Sequence, residues 1–378
     1  VPRMLPMPVN AILKSAVHRI WTREWTGQEI EKYIGHYQHC YFTYAADAAL
    51  RERAASGGSV SALMLHLLET GQVDGALVCQ TVVRDGRPRP EFRIVTTREG
   101  LIVAQGSKYT AVHFASDALP LIKAFGGRLA VVALPCDAKI LAHRRAKDEA
   151  LDSKIGFVFA LFCGHNSEPE LVDAIVRKLG DDHGVLTDYV YRAGHWRGYL
   201  AATFEDGVRV EKPFAYFSDY QNLYFYAQPK CHYCHDHTGY FCDISAGDIW
   251  SPRMRQHPIK HTALITRTEA GQRLVESALR AGIIIGQEEP IEEVADGQAR
   301  TMPFHYNVTS RARVGRLFGY RITEQTEKRV RLVDYVLAAL VMFNERFSRT
   351  RLGRWLLPRL PRPLIRLYLL LFKGLESL

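Results

Sequence analysis

Apolar runs that stop at a turn and restart as amphipathic stretches recur along this chain, and this alternation constrains the fold more than any other feature. "RLAVVALPCDAKILAHRRA" reads as a buried strand, a Pro-Cys turn and a helix. "SKIGFVFALFC" is a second apolar strand, ending at Cys163, and "EPELVDAIVRKLG" follows as a helix. "HTALITRT" with "EAGQRLVESALRAG" repeats the unit. In "SGGSVSALMLHLLETG", Val60, Leu63, Met64, Leu67 and Leu68 recur at helical spacing, with Gly71 as the residue after the helix. "GALVCQTVV", "RDGRP" and "EFRIVTT" read as strand, turn and strand, and "YLAATFEDGVRVEKPF" as a hairpin turning at Asp206-Gly207. Strands alternating with helices predict an α/β fold: a mixed, largely parallel sheet flanked by helices.

The end of the chain follows a different rule. "RLVDYVLAALVMFNERF" and "PLIRLYLLLFKGL" are apolar with basic residues at intervals. From Arg311 to Leu378 there are 15 Lys and Arg against 5 Asp and Glu. The whole chain carries +9, so the rest sums to −1, and a general nucleic-acid role loses its support. The longest uncharged apolar runs fall far short of the ~20 residues of a spanning helix. Two readings stay open for residues 311–378: helices packed on the body or a partner, or a peripheral membrane anchor with snorkelling arginines and Trp355 at headgroup level.

Seven cysteines in 378 residues are too few and too scattered for a disulfide scaffold. The opening "VPRMLPMPVNAILKSAV" has no continuous apolar core followed by a cleavage site. The expected compartment is therefore reducing and cytoplasmic, which suits thiolate–metal chemistry.

Such chemistry concentrates in "KCHYCHDHTGYFCDISAGDIW". Cys231 and Cys234 form C-x2-C, and His237 and Cys242 extend it to C-x2-C-x2-H-x4-C. A zinc knuckle has a longer second gap; zinc, an iron–sulfur site and no metal all remain open on this stretch alone. Cys136 and Cys163 follow apolar strands, so a parallel sheet would bring both to its carboxyl edge, where α/β ligand sites form. Two strand-end thiols and a C-x2-C loop are four thiolates, enough for a cubane cluster, but a strand-end cysteine more often serves as a small buried apolar residue, and both readings stay open on the residues alone. "AASGGSV" offers backbone amides at a helix start, which favours an anion. "QGSKYT" adds Lys108 for a phosphate and Tyr109 for stacking on a ring.

The order of "AASGGSVSALMLHLLETGQVDGALV", "QGSKYTAV", "VVALPCDAKILAHRR", "IGFVFALFCGHNSE", "YRAGHWRGYLAATFEDG" and the cysteine stretch resembles the beta subunit of coenzyme F420 hydrogenases and dehydrogenases, from about Ile34 to Glu293. That family includes chlorophyllide-reductase-like members. The resemblance implies FAD and a 4Fe-4S cluster on one α/β subunit. Ser56, Gly57, Gly58 and Ser59 match its first flavin-side motif, and Gly106, Ser107, Lys108 and Tyr109 its second. Cys136, Cys163, Cys231 and Cys234 match its cluster cysteines, and Asp243, Gly247 and Asp248 a further shared segment. Cys242 stands where the family has a small apolar residue.

Many members carry an N-terminal ferredoxin-like module. The first 35 residues here hold no cysteine, so the expected electron partner is a ferredoxin-like donor or a hydrogenase or dehydrogenase subunit. The implied organisation is an extension over 1–35, a flavin and iron–sulfur core over 36–300 and a basic, apolar helical tail over 301–378. The implied activity passes electrons between a two-electron small-molecule substrate and a one-electron partner. Its rival is a zinc-binding interaction or scaffold protein without redox activity. No Ser/His/Asp triad is suggested; His165 and His195 are candidate proton carriers only, and no catalytic residue is assigned.

Overall fold

Strand pairing at the centre of the molecule is parallel, and at both margins it is antiparallel. A computed structural model describes residues 24–377 apart from 181, 196, 324, 325 and 328. Most of the expected N-terminal extension, residues 1–23, lies outside the described residues. The central strands are β2 (Gly75–Arg84), β4 (Leu129–Ala133), β5 (Ile155–Leu161) and β9 (Ile244–Asp248), adjacent in the order β2-β4-β5-β9 and parallel throughout. β3 (Arg87–Val95) borders β2 antiparallel. Beyond β9, β10 (Thr262–Thr266), β1 (His39–Ala45) and β11 (Ile284–Glu288) extend the sheet antiparallel to eight strands. The expected α/β architecture is present, with its parallel pairings confined to the middle.

Local chemistry explains the elements. β2 and β3 are joined at Asp85-Gly86, both in the left-handed region (φ 49° and 68°), which suits the twist of a two-residue hairpin. Pro135 occupies the first turn of the helix Pro135–Arg145, where its missing amide hydrogen costs nothing. Thr268 caps the helix Glu269–Arg280 by accepting from Gly271 N.

Alternation along β4 and β5 sends side chains to two cores. Ala130, Phe157 and Phe159 join the helices Ser59–Glu69 and Glu269–Arg280 in one cluster, while Val131, Ala133, Val158 and Ala160 join the helix Pro135–Arg145 in the other.

A second sheet of three strands, β6 (Leu186–Ala193), β7 (Tyr199–Phe204) and β8 (Arg209–Pro213), contains the expected hairpin at Asp206-Gly207. Its core takes in the helix Pro169–Gly180 and residues from the last helices, Leu332–Arg349 and Arg362–Glu376: Leu337, Val341, Ile365, Leu369 and Phe372. One side of the tail is thus buried against the body. No described helix is long and apolar enough to cross a membrane.

Candidate functional site

β4 and β5 are parallel neighbours, pairing Val132 with Phe159 and Ala133 with Ala160, so both leave the sheet at one edge. Cys136 follows β4 in the first turn of its helix, and Cys163 lies two residues past β5. Cys231 sits in the short 3-10 turn Pro229–Tyr233, and Cys234 closes that turn by donating its N–H to Cys231 O at 3.3 Å.

Backbone bonds bring this loop to the sheet edge. Gln228 N donates to Asn166 O (2.9 Å), Cys163 N donates to His237 O (2.9 Å), and Asn166 N points at Cys231 Sγ (3.4 Å).

The four thiols act on one another. Burial raises the Cys163 thiol far above its ordinary range, and the charges of Cys231, Cys136 and Cys234 add to the rise. Burial also raises Cys136, with Asp137, Cys234 and Cys231 contributing, and pushes Cys234 up to about 12. Four half-buried thiols in mutual electrostatic reach stay protonated unless positive charge replaces the protons. Lys230 faces Asp137 and the thiols of Cys136, Cys231 and Cys163.

The remaining members of the knuckle-like spacing point elsewhere. Cys242 is buried in the core, with its Sγ on Gly239 O (3.1 Å) and beside Ser245 Oγ (3.4 Å). His237 bonds Gln298 through Nε2 (3.1 Å), and burial takes its pKa down to about 4. Among the described residues no three His, Cys, Asp or Glu side chains are gathered to hold a single metal ion.

The glycine motif is built differently from a free loop. Gly57 N donates to Thr262 Oγ1 (2.9 Å), and Ser56 Oγ donates to His261 O (2.7 Å). Ser59 Oγ is buried against Thr43 Oγ1 at 2.8 Å. A Cβ on Gly57 would lie 2.6 Å from Thr43 O and 2.9 Å from Thr262 N, so this glycine lets the loop press onto β1 and β10. Gly58, at φ 81°, starts the helix Ser59–Glu69. With both serine hydroxyls used internally, backbone amides at the helix start are what the motif can offer a ligand.

The second motif lies beside the first, since Gln105 Nε2 donates to Ser61 Oγ (3.0 Å). Lys108 Nζ donates to the carbonyls of Ala104, Gln105 and Gly106, and burial lowers its pKa to about 8. Ser107 is half-buried between Gly106 and Lys108. Tyr109 packs against both Phe214 (5.2 Å between ring centres) and Phe217 (5.8 Å).

Two residues that the sequence reading left without a role join these motifs. Arg192, on β6 and 5% exposed, grips Asp248 through both carboxylate oxygens (2.6 and 2.8 Å). It also donates to Tyr109 Oη (3.0 Å) and Ala55 O (2.7 Å), beneath the Trp250 ring at 5.3 Å. Lys260 Nζ donates to Ala54 O (2.8 Å) and Ala55 O (3.1 Å), with its pKa lowered to about 8 by burial and by Arg192. Arg192 lies in "YRAGHWRGYLAATFEDG", one of the stretches that carry the family resemblance, but nothing in that stretch marked it as a site residue.

Asn166 links the two regions. Its N–H meets Cys231 Sγ, its Nδ2 donates to Thr110 O (3.3 Å), and Ser167 bridges to Thr110 on one side and Ala227 on the other. The chain entering the cysteine loop is strained, with Tyr224 and Tyr226 at φ 61° and 58°. The tail braces it there: Ser348 Oγ accepts from Tyr226 N (2.8 Å), and Asn344 Nδ2 donates to Leu223 O (2.8 Å).

These motifs coincide with two family models. Residues 40–117 match the N-terminal region, and 126–292 the C terminus, of the coenzyme F420 hydrogenase/dehydrogenase beta subunit. The chain belongs to this family. The coenzyme F420 hydrogenase subunit beta of Methanosarcina barkeri is 27% identical over 274 residues, covering 71% of this chain and 87% of that protein. A coenzyme F420-dependent sulfite reductase of Methanocaldococcus jannaschii is 26% identical over 255 residues, 63% of this chain and 37% of the reductase. Among solved structures, a chain of the F420-reducing NiFe hydrogenase complex from Methanosarcina barkeri superposes with TM-score 0.59 at 22% identity, covering 78% of this chain and 97% of its own, a likeness of fold. As a member of the coenzyme F420 hydrogenase/dehydrogenase beta subunit family, the chain falls in the oxidoreductase class, among proteins that work as subunits of larger complexes.

Proposed function

We propose that this chain is an FAD- and 4Fe-4S-dependent oxidoreductase subunit, passing electrons between a two-electron substrate, coenzyme F420 or another conjugated acceptor, and a one-electron partner. That partner is a ferredoxin-like protein or a hydrogenase or dehydrogenase subunit. The observation that carries the reading is the juxtaposition, through Asn166, of four mutually coupled thiols with the cationic region around Arg192. When bound, the flavin exchanges a hydride with the substrate and single electrons with the cluster.

The residues fit both groups. Cys136, Cys163, Cys231 and Cys234 would hold the cluster. Thiolates on a four-iron cluster bind different irons, so the four need not converge on one point as the ligands of a single ion do. On the flavin side, Arg192 is neutralised by Asp248, whereas Lys108 and Lys260 donate only to carbonyls and form no ion pair among the described residues. Two half-buried ammonium groups without a carboxylate suit a diphosphate, and the amides of Gly58 and Ser59 and of Gly106 and Ser107 suit its oxygens, the Gly57 amide being taken by Thr262. Phe214 and Trp250 place their rings against the Arg192 guanidinium, and Tyr109 packs on Phe214.

Purification without oxygen tests the reading. Flavin, iron and acid-labile sulfide in the protein support it. A colourless protein carrying one zinc overturns it in favour of a non-redox binding or scaffold role.

A separate observation supports a membrane contact. The inner side of the helix Arg362–Glu376 is buried through Ile365, Leu369 and Phe372, yet Leu364, Leu367, Leu370 and Leu371 on its other side are all more than half exposed. Leu352 and Trp355, just before it, are 59% and 56% exposed. From Arg351 to Ser377 six basic residues accompany one acidic residue, Glu376, which is itself paired with Arg300. An outward apolar stripe among arginines is the pattern of a helix lying in an anionic lipid interface, and this chain is proposed to lie there, peripheral to the cytoplasmic face.

A further inference from the structure

Arg311 lies in the helix Val308–Gly315, beyond residue 292 where the family match ends. Its side chain is among the largest that the fold buries fully, at 2% exposure. Nη2 donates to Cys234 O (2.6 Å) and His305 O (2.8 Å), and Nη1 to Phe304 O (3.4 Å). Nε is buried with no acceptor.

Its hydrogen-bond partners are all neutral carbonyls, and the guanidinium lies over the Phe304 ring at 5.3 Å. Among the described residues no carboxylate forms an ion pair with it. The carboxylates around the cysteine loop are engaged elsewhere: Glu345 pairs with Arg349 at 2.5 Å, Asp137 faces Lys230, and Asp236 accepts from the amides of Gly239 and Tyr240. The groups able to carry negative charge that face Arg311 are the Tyr224 phenol and the thiols of Cys234 and Cys231.

A guanidinium does not shed its proton in a protein. Burying it beside neutral carbonyls and one aromatic face costs more than those contacts return. The site is therefore built for an anion on the cysteine side. Four thiolates outweigh the positive charge of a four-iron core, so a cysteine-bound cluster is a net anion.

Resting on the cluster reading above, we infer that Arg311 is the cluster's built-in counter-ion, a positioning residue from the C-terminal extension that holds the Cys231–Cys234 loop by the Cys234 carbonyl and favours the reduced, more negative state of the cluster.

The test uses the anaerobically purified full chain as wild type, Arg311→Lys and Arg311→Met, with iron content and an EPR-monitored redox titration as readouts. Arg311→Met is expected to shift the reduction equilibrium about tenfold toward the oxidised cluster, about 59 mV more negative for one electron, with Arg311→Lys in between. An unshifted potential at wild-type iron content overturns the inference. Should Arg311→Met lose its cluster, thermal melting before and after chelation decides. A counter-ion makes the variant less stable than wild type with the cluster bound, but more stable after its removal, because the uncompensated charge is gone. Equal destabilisation in both states marks a packing role and overturns the inference. A wild-type protein free of iron sinks the cluster reading itself, which is a different result from an unshifted potential.

Discussion

Arg192 and Asp248 lie 56 residues apart and meet through two hydrogen bonds of 2.6 and 2.8 Å, tying the small sheet to the end of β9. The planar guanidinium fork matches a carboxylate as lysine cannot. The same side chain reaches Tyr109 and Ala55, so one residue holds both glycine-bearing motifs in register. Arg192→Met strands the Asp248 carboxylate and is expected to cost about 3 kcal/mol and to release flavin. Adding Asp248→Asn should recover part of the thermal midpoint but none of the flavin. Melting curves and flavin fluorescence after denaturation check both, and undiminished flavin in Arg192→Met would count against this region as its site.

The four coupled cysteines and the isolated Cys242 make opposite predictions. Cys231→Ala is expected to abolish cluster absorbance and leave flavin in place. Cys242→Ser should leave iron content near wild type, because its Sγ already bonds Gly239 O inside the core. Iron and sulfide analysis of anaerobic protein decides; equal bleaching by both substitutions means that the ligand set is wrong.

Gly57→Ala tests whether the first glycine serves the ligand or the fold. Its backbone is not in the left-handed region, so the cost is steric, from a Cβ 2.6 Å from Thr43 O. Overpacking of this kind costs about 1–3 kcal/mol. The thermal midpoint should fall in flavin-free protein as much as in loaded protein, whereas a fall seen only with flavin bound would assign the glycine to the ligand.

For the outward stripe of the last helix, Leu367→Glu with Leu371→Glu should remove binding to phosphatidylserine-containing vesicles in a sedimentation assay. Cluster and flavin contents should hold, because both leucines are more than half exposed. Wild-type protein that stays in the supernatant, or that is a dimer which these substitutions turn into a monomer, replaces the membrane with another partner.

Much of the architecture was legible in local pattern. The strands β4, β5 and β10 and the helices that follow them agree with the periodicity, because alternation and helical spacing are set by near neighbours. That Cys136, Cys163, Cys231 and Cys234 come within electrostatic reach of one another was legible too, through strand ends and C-x2-C spacing joined to the family resemblance; their role as ligands is the proposal made above. Arg192 and Lys260 were not, since a lone basic residue in a strand or loop gives no hint of the carbonyls and carboxylate it meets.

The sequence by itself determined the α/β alternation and the basic character of the chain's end. Tertiary structure alone decided that the tail is two-faced, buried through Phe372 and exposed through Leu371, because both residues are equally apolar in the sequence. It also decided that Arg311, one basic residue among many there, lies buried against Cys234 rather than in water. The physical reason is that periodicity is a property of neighbours along the chain, whereas burial and charge compensation depend on segments that only the folded chain brings together.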